Sequence, residues 1–181
     1  MAITQTLPKP TSPGPISHAA PEGAAKKTSE VLGEIVWLMS QSQIHKRMFI
    51  QDLEWFVMTP ILLQQFRLFY AKDRPLSVVL WAHANEEVAG MLAEGVTKLR
   101  PQDWDCRRKP GARVVPGQKP EDLIVGTQAW VVEVIAPFGG LCRRHVCDMT
   151  EMVKDLKANV FPDRELRYVQ VGVQGNEVRV A

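Results

Sequence analysis

Cysteine is scarce in this chain: three among 181 residues, an odd number, argue against a disulfide framework and for a reducing, cytoplasmic setting. Charge of one sign is missing too. Lys plus Arg number 22 against 20 Asp plus Glu, a formal net charge of +2, which speaks against a general nucleic-acid coat. No apolar run approaches the ~20 residues of a membrane span, and the start shows no basic-then-apolar secretory pattern. G-x-G-x-x-G, the P-loop and G-x-S-x-G are all absent, so the usual nucleotide and α/β-hydrolase signatures do not apply. There is no internal repeat. What is present is an ordinary globular composition, 45% hydrophobic and 23% charged, in a length that suits one domain with a real core.

Five of the 13 prolines crowd into Pro8, Pro10, Pro13, Pro15 and Pro21, among Thr, Ser, Gly and Ala. Residues 1–28 therefore read as a disordered tail, with too little apolar surface to offset its ordering entropy. Residues 29–181 read as a single domain. Thr28 or Ser29 can cap a helix whose apolar face is Val31, Leu32, Ile35, Val36, Leu38 and Met39,. A second helix is expected over Lys46–Val57, ended by Pro60. Strands are expected over Ile61–Tyr70 and Leu76–Ala82, joined by the turn Lys72-Asp73-Arg74-Pro75,. Asn85 caps a helix to about Val96. From Arg100 to Gly126 prolines and basic residues make a long surface loop, centred on a basic Pro-rich stretch at about 105–125. Thr127–Ile135 is the strongest strand, a helix follows over about Arg144–Val160, and Arg167–Val173 with Glu177–Val180 closes the chain as a hairpin. The order of elements predicts an α+β fold, a mixed and mostly antiparallel sheet flanked by helices.

Few residues stand out as carriers of chemistry. His45 follows a polar loop, lies three residues after Ser42, which can hydrogen-bond an imidazole, and precedes Lys46 and Arg47, whose charge favours the neutral ring a general base needs,. Glu133 lies inside the strongest strand, where simple alternation puts it on one face with Ala129, Val131 and Ile135. A carboxylate among so many apolar residues is costly unless paired or protonated. Either it holds an edge position or pairs with a buried arginine, or it orients or charges a catalytic imidazole. His83 ends a strand. Cys142, His145 and Cys147 offer three zinc donors, but no second pair completes a site and Cys106 is the only other thiol, so no metal is expected. The backbone amides of Phe138, Gly139 and Gly140, between a strand and a helix, can receive an anion or simply make a tight turn.

Together these segments resemble a known family. Gly33-Glu-Ile-Val-Trp-Leu-Met-Ser-Gln-Ser-Gln-Ile-His45-Lys-Arg, Asp103-Trp104, and Trp130-Val-Val-Glu133-Val-Ile-Ala-Pro-Phe-Gly139 are similar to the motifs of the RTX toxin-activating lysine acyltransferases, the haemolysin-activating type. The resemblance spans about Val31 to Phe161. It implies a fold like that of the GNAT acetyltransferases and transfer of a fatty acyl group from acyl carrier protein to internal lysines of an RTX protoxin. His45 falls on the family's catalytic histidine, Ser42 on a supporting serine, and Glu133 on a position usually held by Asp. Glu keeps the charge but adds a methylene, a change in reach of about 1.5 Å. No bound cofactor is implied; acyl carrier protein is the donor. Acyl carrier proteins are acidic, so Lys46, Arg47, Arg107, Arg108 and Lys109 are candidates to dock one. The resemblance also implies a homodimer. Two other readings stay open: an acyl-CoA-dependent GNAT-type enzyme, although its Arg/Gln-x-x-Gly-x-Gly/Ala loop is not found, and a non-catalytic relative that binds an acyl chain or a partner.

Overall fold

The computed structural model describes residues 26–107, 127–138, 149–172 and 175–181. The tail as far as residue 25, the basic loop from Arg108 to Gly126, and Gly139, Gly140, Cys142, His145 and Cys147 lie outside the described residues.

Helix α1, Thr28–Gln41, starts one residue before the expected serine cap. The cap falls on Lys27, whose backbone N–H donates to the Glu30 carboxylate at 3.3 Å, while the Glu30 N–H bonds the Lys27 carbonyl at 2.9 Å and no side chain caps it,. The expected Lys46–Val57 helix is instead broken into 3-10 turns at His45–Arg47 and Ile50–Asp52 and a π turn at Glu54–Met58, followed by α2, Thr59–Leu62. Pro60 explains part of this. It has no N–H, and its ring crowds the carbonyl four residues back, a conflict that the wider π turn before it avoids. Pro60 sits within the first turn of α2 rather than ending a helix. The expected strand from Ile61 consequently begins later: Ile61 and Leu62 belong to α2, Gln64 takes a positive φ of 56°, and β1 runs Phe66–Ala71.

Strand β2 spans Arg74–Ala84 and α3 spans Glu86–Ala93. Asn85 caps α3 as expected, its side chain accepting from Val88 N–H at 2.9 Å, although the helix stops short of Val96. Strand β3 is Gln128–Ile135, α4 Met149–Asn159, β4 Leu166–Gly172 and β5 Gly175–Val180. The five strands lie in chain order in one sheet. All neighbours are antiparallel except β3 and β4, which are parallel across the α4 connection and pair only at Ala129–Leu166 and Trp130–Arg167. This is the α+β, mostly antiparallel architecture, consistent with a GNAT-like fold.

Each sheet face carries its own core. On the first face α1, α2 and α3 bury Ile35, Leu38, Ile61 and Val88 against Val78, Leu80, Trp104, Trp130 and Ile135. On the second, Met152, Val153 and Leu156 of α4 pack on Phe69, Val79, Trp81, Val131 and Leu166. Strand β2 serves both faces by regular alternation. Beyond Leu80 its edge next to β1 is completed by other backbone: Trp81 N–H donates to Gln65, His83 N–H to Trp104, and Cys106 N–H to His83.

Candidate active site

The first element of the site is local. Helix α1 ends at Gln41, and Ser42 takes an extended conformation while its N–H closes onto Leu38 and Met39 carbonyls. The chain then folds into the 3-10 turn at His45, and Lys46 N–H donates back to the Ser42 carbonyl at 3.1 Å. Residues three apart in such a turn lie side by side. Ser42 Oγ therefore sits 2.8 Å from His45 Nδ1. It also accepts the His45 backbone N–H at 3.4 Å. Both side chains are buried. The imidazole lies against Phe56 of the π turn, ring centres 5.9 Å apart and planes 25° from parallel.

The second element is long-range. His45 Nε2 is 3.6 Å from Glu133 Oε1, beyond direct hydrogen-bond distance but within ion-pair distance. The same oxygen accepts the Val134 N–H at 3.1 Å. Glu133 reaches this position through a bulge in β3. Leu80 pairs with Glu133 and Trp81 with Val131, so Val132 is an extra residue and packs on the first face beside Glu133,. Simple alternation is thereby broken. Glu133 and Ile135 do share a face, but Ala129 and Val131 point to the second core and Trp130 and Val132 join Glu133.

Of the other candidates, Phe138 packs on the first face, its ring 5.7 Å from Trp37. Lys46 and Arg47 are exposed beside the buried imidazole, and Lys46 Nζ bonds Gln43. Arg107 is elsewhere: it grips Asp105 through Nε and Nη2, each at 2.7 Å, and borders a pocket with Trp81 and Phe161 of the second core. Asp103 accepts three bonds from Arg100 and Trp104 is fully buried in the first core, so this dipeptide holds structure together rather than facing His45. Among the described residues no three metal-binding side chains cluster, and no helix is long and apolar enough to cross a membrane.

A buried serine–histidine pair with a carboxylate at the far ring nitrogen is an acid–base arrangement,. The HlyC family model, described as the RTX toxin acyltransferase family, matches residues 24–109 and 117–181. The chain belongs to this family. It is thus an acyltransferase, and the unmatched gap falls in the basic Pro-rich stretch of the sequence. Among curated relatives it is 28% identical over 155 residues to an uncharacterized protein of Synechocystis, covering 84% of this chain and 87% of that one. It is 24% identical over 148 residues to the lysine-acyltransferase RtxC of Vibrio cholerae, covering 81% and 78%. To the protein-lysine myristoyltransferase HlyC of Escherichia coli it is 25% identical over 145 residues, covering 80% and 69%.

Phe56 and the Val132 bulge have no sequence signal that singles them out. His83 does more than end a strand: it is buried and its Nδ1 has no hydrogen-bond partner among the described residues. Burial first, then the positive charge of Arg107 and Arg164, pushes its pKa from 6.5 down to about 4 against the opposing pull of Asp105. The folded value lies below the unfolded one, so between about pH 6.5 and 4 the unfolded chain binds more protons. Stability must fall as pH drops through that window, by up to about 3 kcal/mol from this group. Urea unfolding at pH 7 and pH 4.5 should show a smaller acid loss in His83→Asn than in the parent; equal losses would remove His83 as the cause.

Proposed function

We propose that this protein transfers a fatty acyl group from acyl carrier protein to internal lysine side chains of an RTX protoxin, with His45 as general base, Glu133 and Ser42 supporting it. The observation that carries this reading is the Ser42–His45–Glu133 constellation in a member of an acyltransferase family. Relatives named as lysine-acyltransferases supply the class of acceptor.

A lysine is protonated at neutral pH and must lose a proton before attacking a thioester. Ser42 Oγ accepts the backbone N–H of His45 and is placed to accept Nδ1–H as well. That tautomer leaves the Nε2 lone pair free. The 3.6 Å between Nε2 and Glu133 Oε1 lets one incoming ammonium contact both, each at normal hydrogen-bond length. His45 takes the proton, Glu133 stabilises the imidazolium, and the amine forms its bond to the acyl carbon while the carbon–sulfur bond breaks. The imidazolium passes that proton to the departing thiolate of the carrier, and the nitrogen now bonded to the acyl carbon sheds its second proton through His45 to water. Backbone amides at Phe138, Gly139 and Gly140 are the proposed oxyanion donors. A route through an acyl-imidazole on His45 uses the same groups.

The deciding experiment is peptide mass spectrometry on an RTX protoxin incubated with this protein and loaded acyl carrier protein. Acyl-lysine should appear with the parent. Glu133→Gln should slow transfer by about 10–100-fold, the worth of one charge-assisted contact. Glu133→Asp should retain more than the glutamine variant because it keeps the charge. A glutamine variant as fast as the parent would strip Glu133 of its role.

Carrier docking is assigned first to Lys46 and Arg47, which flank the imidazole and are exposed. Arg108 and Lys109 are kept as secondary contacts, and Arg107 is already committed to Asp105. Reversing Lys46 and Arg47 to Glu should raise KM for the carrier at low salt, with the difference fading as ionic strength rises. A salt dependence identical to the parent's would move docking elsewhere. The family resemblance extends the proposal to a homodimer in the cytoplasm.

A further inference from the structure

Strand β5 is the outermost strand of the sheet, with β4 on one side and no strand on the other among the described residues. Every residue of it, Gly175–Val180, is exposed. We propose that a second copy of the chain docks on this edge, β5 pairing antiparallel with β5 of the second copy across a two-fold axis at Val178. This pairing gives the homodimer an interface and does not depend on the role of His45.

The backbone decides which groups are free. Leu166 and Ala181 exchange both of their N–H···O bonds, at 2.9 and 3.3 Å. Antiparallel pairs alternate between those that exchange bonds and those that do not. Arg179 and Glu177 therefore bond across to Tyr168 and Gln170, while Val180, Val178 and Asn176 stand opposite Arg167, Val169 and Val171 without bonding them. The N–H and C=O groups of Asn176, Val178 and Val180 point outward from the sheet. The strand is held straight for a partner: its register with β4 is unbroken, and Asn176 Nδ2 donates to the Glu94 carbonyl at 3.2 Å. It has no proline, no bulge and no net charge, so three common guards against edge pairing are missing.

Charge selects the partner and the register. Centring the two-fold on Glu177 would set that carboxylate against its own copy, and centring it on Arg179 would do the same for the guanidinium; like charges directly opposite are destabilising. Centring it on Val178 sets Glu177 of each copy opposite Arg179 of the other. This register also engages all the free backbone within β5, since Val178 meets Val178 and Asn176 meets Val180. Glu177 and Arg179 then occupy the non-bonded pairs, where side chains approach most closely. Within one copy they already attract each other at 2.5 Å, each about half exposed. On the other face of the strand, Val178 and Val180, 43% and 56% exposed, gain apolar cover along the axis. A strand that is complementary to itself in this way makes a contact that closes at two subunits. Strands this short bury less than the ~1,200 Å² of a standard interface, so the dimer is a reversible one.

Sedimentation equilibrium of the full-length protein over a concentration series should show monomer and dimer exchanging, with Kd on the order of 10–100 µM. Val178→Pro removes an outward N–H and no bond to β4; it should weaken the dimer by about tenfold or more at an unchanged melting temperature. Glu177→Arg and Arg179→Glu each place like charges opposite one another and should each weaken self-association several-fold at low salt. Mixed one to one, these two variants should form a heterodimer tighter than either homodimer, a result that does not require the strand to tolerate proline. Amide exchange should show Asn176, Val178 and Val180 gaining protection as concentration rises, with Glu177 and Arg179 protected throughout. The interface is wrong if the protein stays monomeric across the series, if the dimer persists unchanged in Val178→Pro and in both charge variants, or if the mixed variants associate no better than each alone. None of these readouts involves acyl transfer, so a failure of the catalytic reading leaves them unmoved.

Discussion

His45→Ala is expected to lower lysine acylation by about 10²–10⁴-fold, the usual contribution of a positioned general base. The ring is the meeting point of the site: Ser42 holds one nitrogen at 2.8 Å and Glu133 stands 3.6 Å from the other. Without it the site loses the one group that stands between the hydroxyl and the carboxylate to take the amine's proton. Since His45 is buried against Phe56, the variant's melting temperature is measured beside its rate. A folded variant that acylates the protoxin at the parent's rate would sink the catalytic reading and favour a binding role. Rapid quenching of the parent separates the routes: an acyl group on the His45 peptide means covalent transfer, its absence at times shorter than turnover means direct attack.

Trp104→Ala should cost about 3–5 kcal/mol of stability, the range for removing a large aromatic side chain from a core. The side chain is fully buried among the first-face cluster, and its own backbone carbonyl accepts the His83 N–H that extends the edge of β2. Its loss therefore leaves a cavity beneath the strand that precedes α3. Urea titration measures the change. A loss under about 1 kcal/mol would mean that the cavity collapses and that Asp103-Trp104 is not the structural element described above. If the variant remains folded, its acylation rate at low temperature should stay near the parent's, since Trp104 makes no contact with His45 in the site described.

Several elements are legible without coordinates because their causes are local. The 3.6-residue spacing of Val31, Ile35 and Leu38 makes α1, Asn85 caps α3, and β-branched runs make β2 and β3,. The segment from Lys46 to Gln65 is the opposite case. Its residues favour helix well enough, but Pro60 and the positive φ of Gln64 divide it into turns. How such a conflict resolves depends on what the turns pack against. The start of α1 at Thr28, with Lys27 rather than a hydroxyl residue at the cap, is a smaller case of the same kind.

The site divides along the same line. Sequence by itself put Ser42 within reach of His45, because residues three apart across a tight turn lie close, and its motifs resembled those of the RTX toxin acyltransferases, the family the chain belongs to. Tertiary structure alone decided that Glu133 reaches the imidazole. Side chains on a strand alternate, so a strand that keeps Ala129 and Val131 in the second core would send Glu133 there too. The extra residue at Val132 shifts the register against β2 once, between Leu80 and Trp81, and puts the carboxylate on the side of His45. Pairing between strands distant in the chain fixes that shift, and no local pattern of residues encodes it.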